Sequence, residues 1–558
     1  MRPIERAAGI IVWLGLTATS SCTTRPAGEP TGTSSSTSST SASAATTSNQ
    51  AGARPVEWLA IAPRSYLDEL EPLVALRGAT MGTATMAVED ALAKVEPGRP
   101  REGALRDAIA DYRKKNPTLR FVVLVGVPGS SPAAVPAFVV HRRYDFPGAL
   151  NDFPSDHGYE LAGGTPALAV GRLPARTEAD VSAMVRKLVA YEAPGHGGAW
   201  QKRINVIGGP GNFGAFADGL IEAQATALLD GLLSYDLDVG VMFAKEGSPF
   251  MYRPDRMGQK IVDDMNAGSL FTVYAGHGLE TALDSIRYRQ KRYWIGTASD
   301  FARVDVPRGN PLFVSLTCST GAFALADDKH SLAEDLVLNE HGPIATFASS
   351  AESHPYPNIL YAEALLEAFF QDHAATIGEG IVKAKAAMVD KSMALARFVV
   401  EGDHDALKSD HLDLYNLFGD PATRLRYAGT AKVVARVAKT QPSAEVTVDV
   451  DAPATAGAKD NGRYVLTVET ERAAIKPGIV SSYDLDAMGA DEAFDAMVKN
   501  QALANDKVLS KAEGTLDGGK ATVKLKAPDA AGKYYIKVIV SRDGEDPTIA
   551  HATLEVVN

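Results

Sequence analysis

Two cysteines in 558 residues, Cys22 and Cys318, rule out a disulfide-stapled scaffold and every zinc motif built on paired cysteine spacings. Tryptophan is scarce at four residues, and no glycine-rich phosphate-binding signature occurs. Basic side chains are outnumbered, 56 against 68 acidic, for a net charge of −12, which argues against a nucleic-acid-binding surface. Beyond residue 22 no apolar run is long enough to cross a bilayer. What remains is a 45% hydrophobic chain, enough for two or more substantial cores.

The N-terminus reads as an export signal. Arg2 and Arg6 precede an apolar stretch from Ala7 to about Leu16, and small residues lead to Cys22. That layout resembles the lipid-attachment site of a bacterial lipoprotein, with Cys22 lipidated; an ordinary secretory signal with an incidental cysteine is the alternative. The expected location is therefore the bacterial envelope by a membrane anchor, or else the periplasm or the exterior. Residues 23–55 are rich in Ser and Thr, lack large apolar side chains and read as a flexible tether. With Cys22 removed or lipidated, Cys318 has no partner within the chain. It is then either an inert buried thiol or a nucleophile.

From Val56 onward, near-continuous apolar runs such as FVVLVG (121–126), INVIGG (204–209), SLFTVYA (269–275), PLFVSLT (311–317) and PIATFAS (343–349) predict buried strands. Segments with helical spacing lie between them, so the body is expected to be α/β with a largely parallel sheet. Past about Tyr427 the pattern changes to short alternating runs, among them AEVTVDV (444–450) and GKYYIKVIVS (532–541), which predict an immunoglobulin-like β-sandwich.

Two predicted strands run directly into chemistry. SLFTVYA ends at Gly276-His277-Gly278, and PLFVSLT ends at Cys318. Residues just beyond the carboxyl ends of neighbouring parallel strands converge on one crevice. A thiol beside an imidazole there forms a reactive thiolate, and the backbone N–H groups of Gly278 and Cys318 are candidate oxyanion donors. A loop histidine near a buried cysteine also arises by chance. His330, His341 and His354 have no metal-ligand spacing and read as ordinary loop residues, whereas calcium held by oxygens from separate loops is left open.

YAGHG (274–278) followed by LTCSTGAF around Cys318 resembles the catalytic core of the gingipain-like cysteine peptidases, relatives of caspases. The resemblance extends in consistent order through FVVLVG (121–126), SDHGY (155–159), AVGRLPA (169–175), KLVAYE (187–192), SLAEDLVLNEHGPIATFASS (331–350) and NLFGDPATRL (416–425). It implies a caspase-like catalytic region in two parts, 56–200 and 201–428, followed by the sandwich at 429–558. It also implies a cysteine endopeptidase acting on proteins or peptides with no cofactor for its chemistry, Cys318 as nucleophile and His277 as its base. By the same resemblance, Asp145 falls near the family's histidine-orienting carboxylate. Asp156 of SDHGY falls at an acidic position of the specificity pocket in the arginine-specific members, which implies cleavage after Arg or Lys; a structural or metal-associated role, as in relatives of other specificity, is the alternative. Trp294 is a candidate apolar wall for a bound side chain. Gly126-Val127 departs from the Gly-Asp of many relatives, which puts the pocket in doubt. Two other readings compete: a peptidase fold without activity that serves adhesion or assembly at the surface, and a transpeptidase that passes the acyl group to an amine.

Overall fold

A computed structural model describes residues 54–558 apart from 94, 96–97, 163–164, 212–227, 326–328, 393–399, 401 and 454–461. The proposed export signal, Cys22 and all but the last two residues of the tether lie outside the described residues.

The body is built on one ten-stranded sheet. Its first half places Asp238–Phe243, Arg203–Gly208, Phe271–Ala275, Leu312–Leu316 and Ala345–Ser349 side by side, all parallel. Its second half places Tyr415–Phe418, Ala169–Leu173, Phe121–Val125, Val56–Ala62 and Gly82–Ala87 side by side, also parallel among themselves. The halves join antiparallel, with Phe347 opposite Leu417. Every residue of 121–125, 312–316 and 345–349 is buried. Helices cover both faces of such a sheet, which is why these strands read as unbroken apolar runs rather than alternating ones. The fold is a caspase-like α/β region, and the strand 415–418 crosses the division drawn at residues 200 and 201. It closes the first part's half of the sheet although it lies at the end of the second part in sequence.

The C-terminal region is a two-sheet β-sandwich. One sheet is centred on Arg463–Glu469, Gly532–Ser541 and Thr548–Val556, the other on Lys432–Ala435, Glu445–Asp451 and Lys520–Lys526. Val446, Val448, Leu466, Ile536 and Leu554 fill the space between them. The alternating pattern of 444–450 follows from one face being core and the other solvent.

Two helices absent from the strand reading, Ser482–Ala487 and Ala490–Asn505, interrupt the sandwich between 463–469 and 508–515. Leu485, Phe494 and Met497 from this insertion share a core with Ile207, Met257, Ile261 and Phe313 of the catalytic region. At its end the Asn505 side chain accepts from Val241 N at 2.7 Å and donates to Val241 O at 2.9 Å. An edge strand leaves N–H and C=O groups unpaired, and this amide satisfies two of them on 238–243. Arg472 donates to the carbonyls of Leu229 (3.0 Å) and Leu233 (2.7 Å), and its guanidinium lies 4.3 Å from the centre of the Tyr235 ring. Tyr235 in turn stacks on Tyr535 at 3.5 Å.

Candidate active site

Strands 271–275 and 312–316 are neighbours in register, with Ala275 opposite Leu316. His277 and Cys318 therefore leave the sheet at matched positions, each two residues past its paired strand end. Their loops touch at Gly278. A Cβ there would lie 2.6 Å from Thr317 Oγ1 and 3.0 Å from the carbonyl of Cys318, so only glycine permits this approach. Gly276 is constrained likewise, because a Cβ would meet the Tyr274 hydroxyl at 2.8 Å.

The turn that carries Cys318 is tight. Ser319 holds φ at +53°, a left-handed conformation uncommon for a residue with a side chain and one often kept at functional turns. Ser319 N donates to Ala351 O at 2.9 Å, and Thr320 N to Cys318 O at 2.6 Å. The sulfur lies against the segment after strand 345–349: Ser353 N donates to Cys318 Sγ at 3.3 Å, and Sγ lies 3.4 Å from Ser353 O. Burial pushes the Cys318 thiol up, opposed by these bonds and by Arg142, while Glu352 adds to the rise. A neighbouring proton acceptor is therefore needed to make the thiolate near neutral pH.

The Ser353 strap is itself held from below. Ser353 Oγ accepts from Asn358 at 2.9 Å, Asn358 accepts from Tyr415 at 2.7 Å, and His354 N donates to His411 Nε2 at 2.8 Å. Burial, with a smaller contribution from His404, drops His354 to about 4, so it is a neutral imidazole. Of these residues the sequence singled out only His354, as an ordinary loop histidine, because a strap made of SAESH carries no periodic or motif signal.

Asp156 is 5% exposed, and its carboxylate is gripped on both oxygens by Arg172 at 2.7 Å and 2.7 Å. Arg172 lies 5.3 Å from the centre of the Phe323 ring, five residues past the nucleophile. The carboxylate expected to select a basic substrate side chain is thus paired within the protein. Through Arg172, the motif also lies close to the turn that carries Cys318. Asp145 is exposed, in the loop between Phe138–His141 and Asp152–Ser155. That loop reaches the Ser353 strap, through Leu150 N to Glu352 at 3.0 Å and Phe146 against His354 at 5.7 Å. Trp294 is 42% exposed and faces Ser285 across a hairpin that begins directly after Asp284. His330 and His341 pair with Asp335 and Asp305, and among the described residues no cluster of three or more His, Cys, Asp or Glu side chains has the makings of a metal site.

The family model described as Peptidase family C25 matches residues 52–426. The chain belongs to peptidase family C25. That span contains every strand of the ten-stranded sheet together with His277 and Cys318. Among solved structures, it is similar to the Arg-specific cysteine proteinase gingipain R at a TM-score of 0.51 and 17% identity, covering 90% of this chain and 98% of that one. A structure described as a protease matches at a TM-score of 0.50 and 14% identity, covering 90% and 97%. A complex of the pro- and mature domains of RgpB from Porphyromonas gingivalis matches at 0.49 and 18%, covering 90% and 100%. At these identities the first two likenesses speak to the fold. No curated protein matches the sequence.

Proposed function

We propose that the chain is an exported cysteine endopeptidase working through Cys318 and His277. The observation that supports this reading is the paired register of Ala275 and Leu316, from which the loops carrying His277 and Cys318 leave the ends of adjacent parallel strands. His277 takes the Cys318 proton, and the thiolate attacks the scissile carbonyl carbon. The N–H groups of Gly278 and Cys318 hold the oxyanion, and the imidazolium gives its proton to the leaving amine as the C–N bond breaks. Water then attacks the thioester, His277 accepts its proton, and the C–S bond breaks to release the acid and restore the thiol. The Ser353 N–H, already donating to sulfur, favours the thiolate. The chemistry needs no cofactor.

The substrates are proteins or peptides. A preference for Arg or Lys through Asp156 would require that carboxylate to be shared with Arg172, and Trp294 is the candidate apolar wall. Export, with lipidation at Cys22, belongs to the same reading; among the described residues no helix is long and apolar enough to cross a membrane. Incubation of the full chain with a peptide library and a range of amines, read by mass spectrometry, tests the proposal. New carboxyl termini are expected. Amine-capped products instead would make the chain a transpeptidase, and an absence of both would make it a fold without activity.

A further inference from the structure

Arg142 follows the strand Phe138–His141 and is buried, with 2% of its side chain exposed. Its near end is fixed. The backbone N–H donates to Asn151 O at 2.7 Å and Nε donates to Leu150 O at 2.9 Å, so the arginine closes the base of its own loop. The guanidinium lies 5.3 Å from the centre of the Phe153 ring and 5.8 Å from that of Phe146, aromatic neighbours that suit a planar cation. The far end differs: Nη1 and Nη2 are both buried, and neither has a hydrogen-bond partner among the described residues.

Other buried guanidinium groups are treated otherwise. All three nitrogens of Arg172 are bonded, to Asp156 and to backbone carbonyls, and those of Arg77 are bonded to Asp420, Glu192 and Thr423. The carboxylates near Arg142 are engaged elsewhere. Asp410, which acts on it most strongly, accepts from the Arg143 guanidinium and from the N–H groups of Arg143 and Tyr144. Glu352 stands 3.6 Å from Nη2, beyond hydrogen-bonding reach, and its Oε2 already accepts from Leu150 N at 3.0 Å. Burial accordingly outweighs Asp410, Glu352 and Cys318 and holds the Arg142 guanidinium below its ordinary pKa. A buried fork with unmet donors is costly unless another state of the site supplies the acceptor.

That fork lies beside the nucleophile. Glu352 directly precedes Ser353, whose N–H donates to Cys318 Sγ at 3.3 Å, and the charges of Arg142 and Cys318 act on one another. The Glu352 side chain is 32% exposed, so the fork meets solvent where this carboxylate now stands. A guanidinium held at Nε, with both terminal nitrogens free, has the geometry that takes a carboxylate on both oxygens.

We propose that Arg142 determines specificity at the Cys318 site by binding the side-chain carboxylate of an Asp or Glu beside the scissile bond, in the place that Glu352 holds at rest. This rests on the Cys318–His277 reading and names its substrate class, peptides cut next to an acidic residue. The substrate carboxylate pairs with Nη1 and Nη2 in a two-pronged contact, and Glu352 turns out into solvent.

The test uses the full chain, its Arg142→Met, Arg142→Lys and Glu352→Gln variants, and a peptide library acetylated and amidated at its ends, so that side chains are the only carboxylates. Mass spectrometry reads where each peptide is cut. Wild type should favour Asp or Glu over Asn or Gln at one position beside the cleaved bond by about a hundredfold in kcat/KM. Arg142→Met should lose that preference. Arg142→Lys, which keeps the charge but not the fork, should retain part of it. Glu352→Gln, which removes the competing charge, should raise kcat/KM for the acidic peptides severalfold. Should Arg142→Met fail to fold, the Lys and Gln variants carry the comparison. A wild type that prefers Arg or Lys, or shows no preference by charge, would overturn the proposal. So would an acidic preference that Arg142→Met leaves intact, or an equal loss on acidic and neutral peptides in that variant, which would make Arg142 structural. Cleavage of no peptide by wild type would instead remove the Cys318–His277 reading, and this proposal with it.

Discussion

In the half of the sheet made by 56–62, 82–87, 121–125, 169–173 and 415–418, the buried charges around the strands are largely paired. Arg77 meets Asp420 at 2.6 Å and Glu192 at 2.7 Å, with Trp58 Nε1 donating to the same aspartate, and Arg172 grips Asp156. Lys385 and His157 together hold Glu160. In the half that ends in His277 and Cys318, Thr317 Oγ1 and Asp284 Oδ2 are buried without partners among the described residues, and Ser319 keeps a left-handed φ. Two arginines of the first half are exceptions among the described residues: Arg176, whose Nη1 is buried without a partner, and Arg142, whose terminal nitrogens are buried and unbonded and whose Nη2 lies 3.6 Å from Glu352 beside the nucleophile's strap. Two half-sheets of the same architecture thus divide the work. One fixes its polar groups to hold shape, and the other leaves them available where a substrate would enter.

The comparison breaks most sharply at the dyad. His277→Ala should lower kcat/KM for any cleaved peptide on the order of a hundredfold to ten-thousandfold, while leaving the thermal unfolding midpoint near that of wild type. The reverse pattern belongs to the paired half. Asp156→Asn leaves the buried Arg172 guanidinium without its counter-charge and should destabilise the fold by about 3–5 kcal/mol in denaturant titrations. If this variant instead kept its stability and lost only cleavage after arginine, Asp156 would belong to the pocket after all.

Docking of the sandwich lies between these extremes. Arg472→Ala removes hydrogen bonds to the carbonyls of Leu229 and Leu233 and should cost about 1–3 kcal/mol, read as a lowered midpoint for the catalytic region. An unchanged midpoint would make the sandwich a passive appendage.

The smallest effect is one of pH. Burial raises the Glu160 carboxyl, but Lys385 and His157 outweigh it and leave it below its ordinary 4.5. A group depressed on folding adds stability that is fully present above the unfolded value and is lost as pH falls through the folded one. Acid unfolding of wild type should therefore steepen below about pH 4.5, and Glu160→Gln should flatten that limb while lowering stability at neutral pH.

Much of this was legible before any coordinates. Strands covered on both faces announce themselves as apolar runs, and the parallel neighbours 271–275 and 312–316 placed His277 and Cys318 at the correct ends. The antiparallel join was not legible, because YNLF at 415–418 is too short to reveal its partner strand, in which Phe347 lies opposite Leu417. The helices 482–505 were hidden for a different reason. Their apolar face is matched to Ile207, Met257 and Phe313, a surface that belongs to another part of the chain. The Asp156–Arg172 pair was not legible, because an aspartate in a motif reads the same whether its carboxylate faces a cleft or an internal arginine. Arg142 was silent, since nothing in HRRYDF (141–146) distinguishes a paired guanidinium from an unpaired one.

The most direct measurement of the central claim uses Cys318→Ala, which removes one sulfur from a buried turn. Wild type and variant are incubated with the same peptide library and with a peptide-directed electrophile, and products and intact protein are weighed by mass spectrometry. Wild type should cleave peptides and take up one equivalent of label at Cys318, and the variant should do neither while unfolding at the same temperature. Cleavage by Cys318→Ala at the wild-type rate would contradict a thiol mechanism at this site.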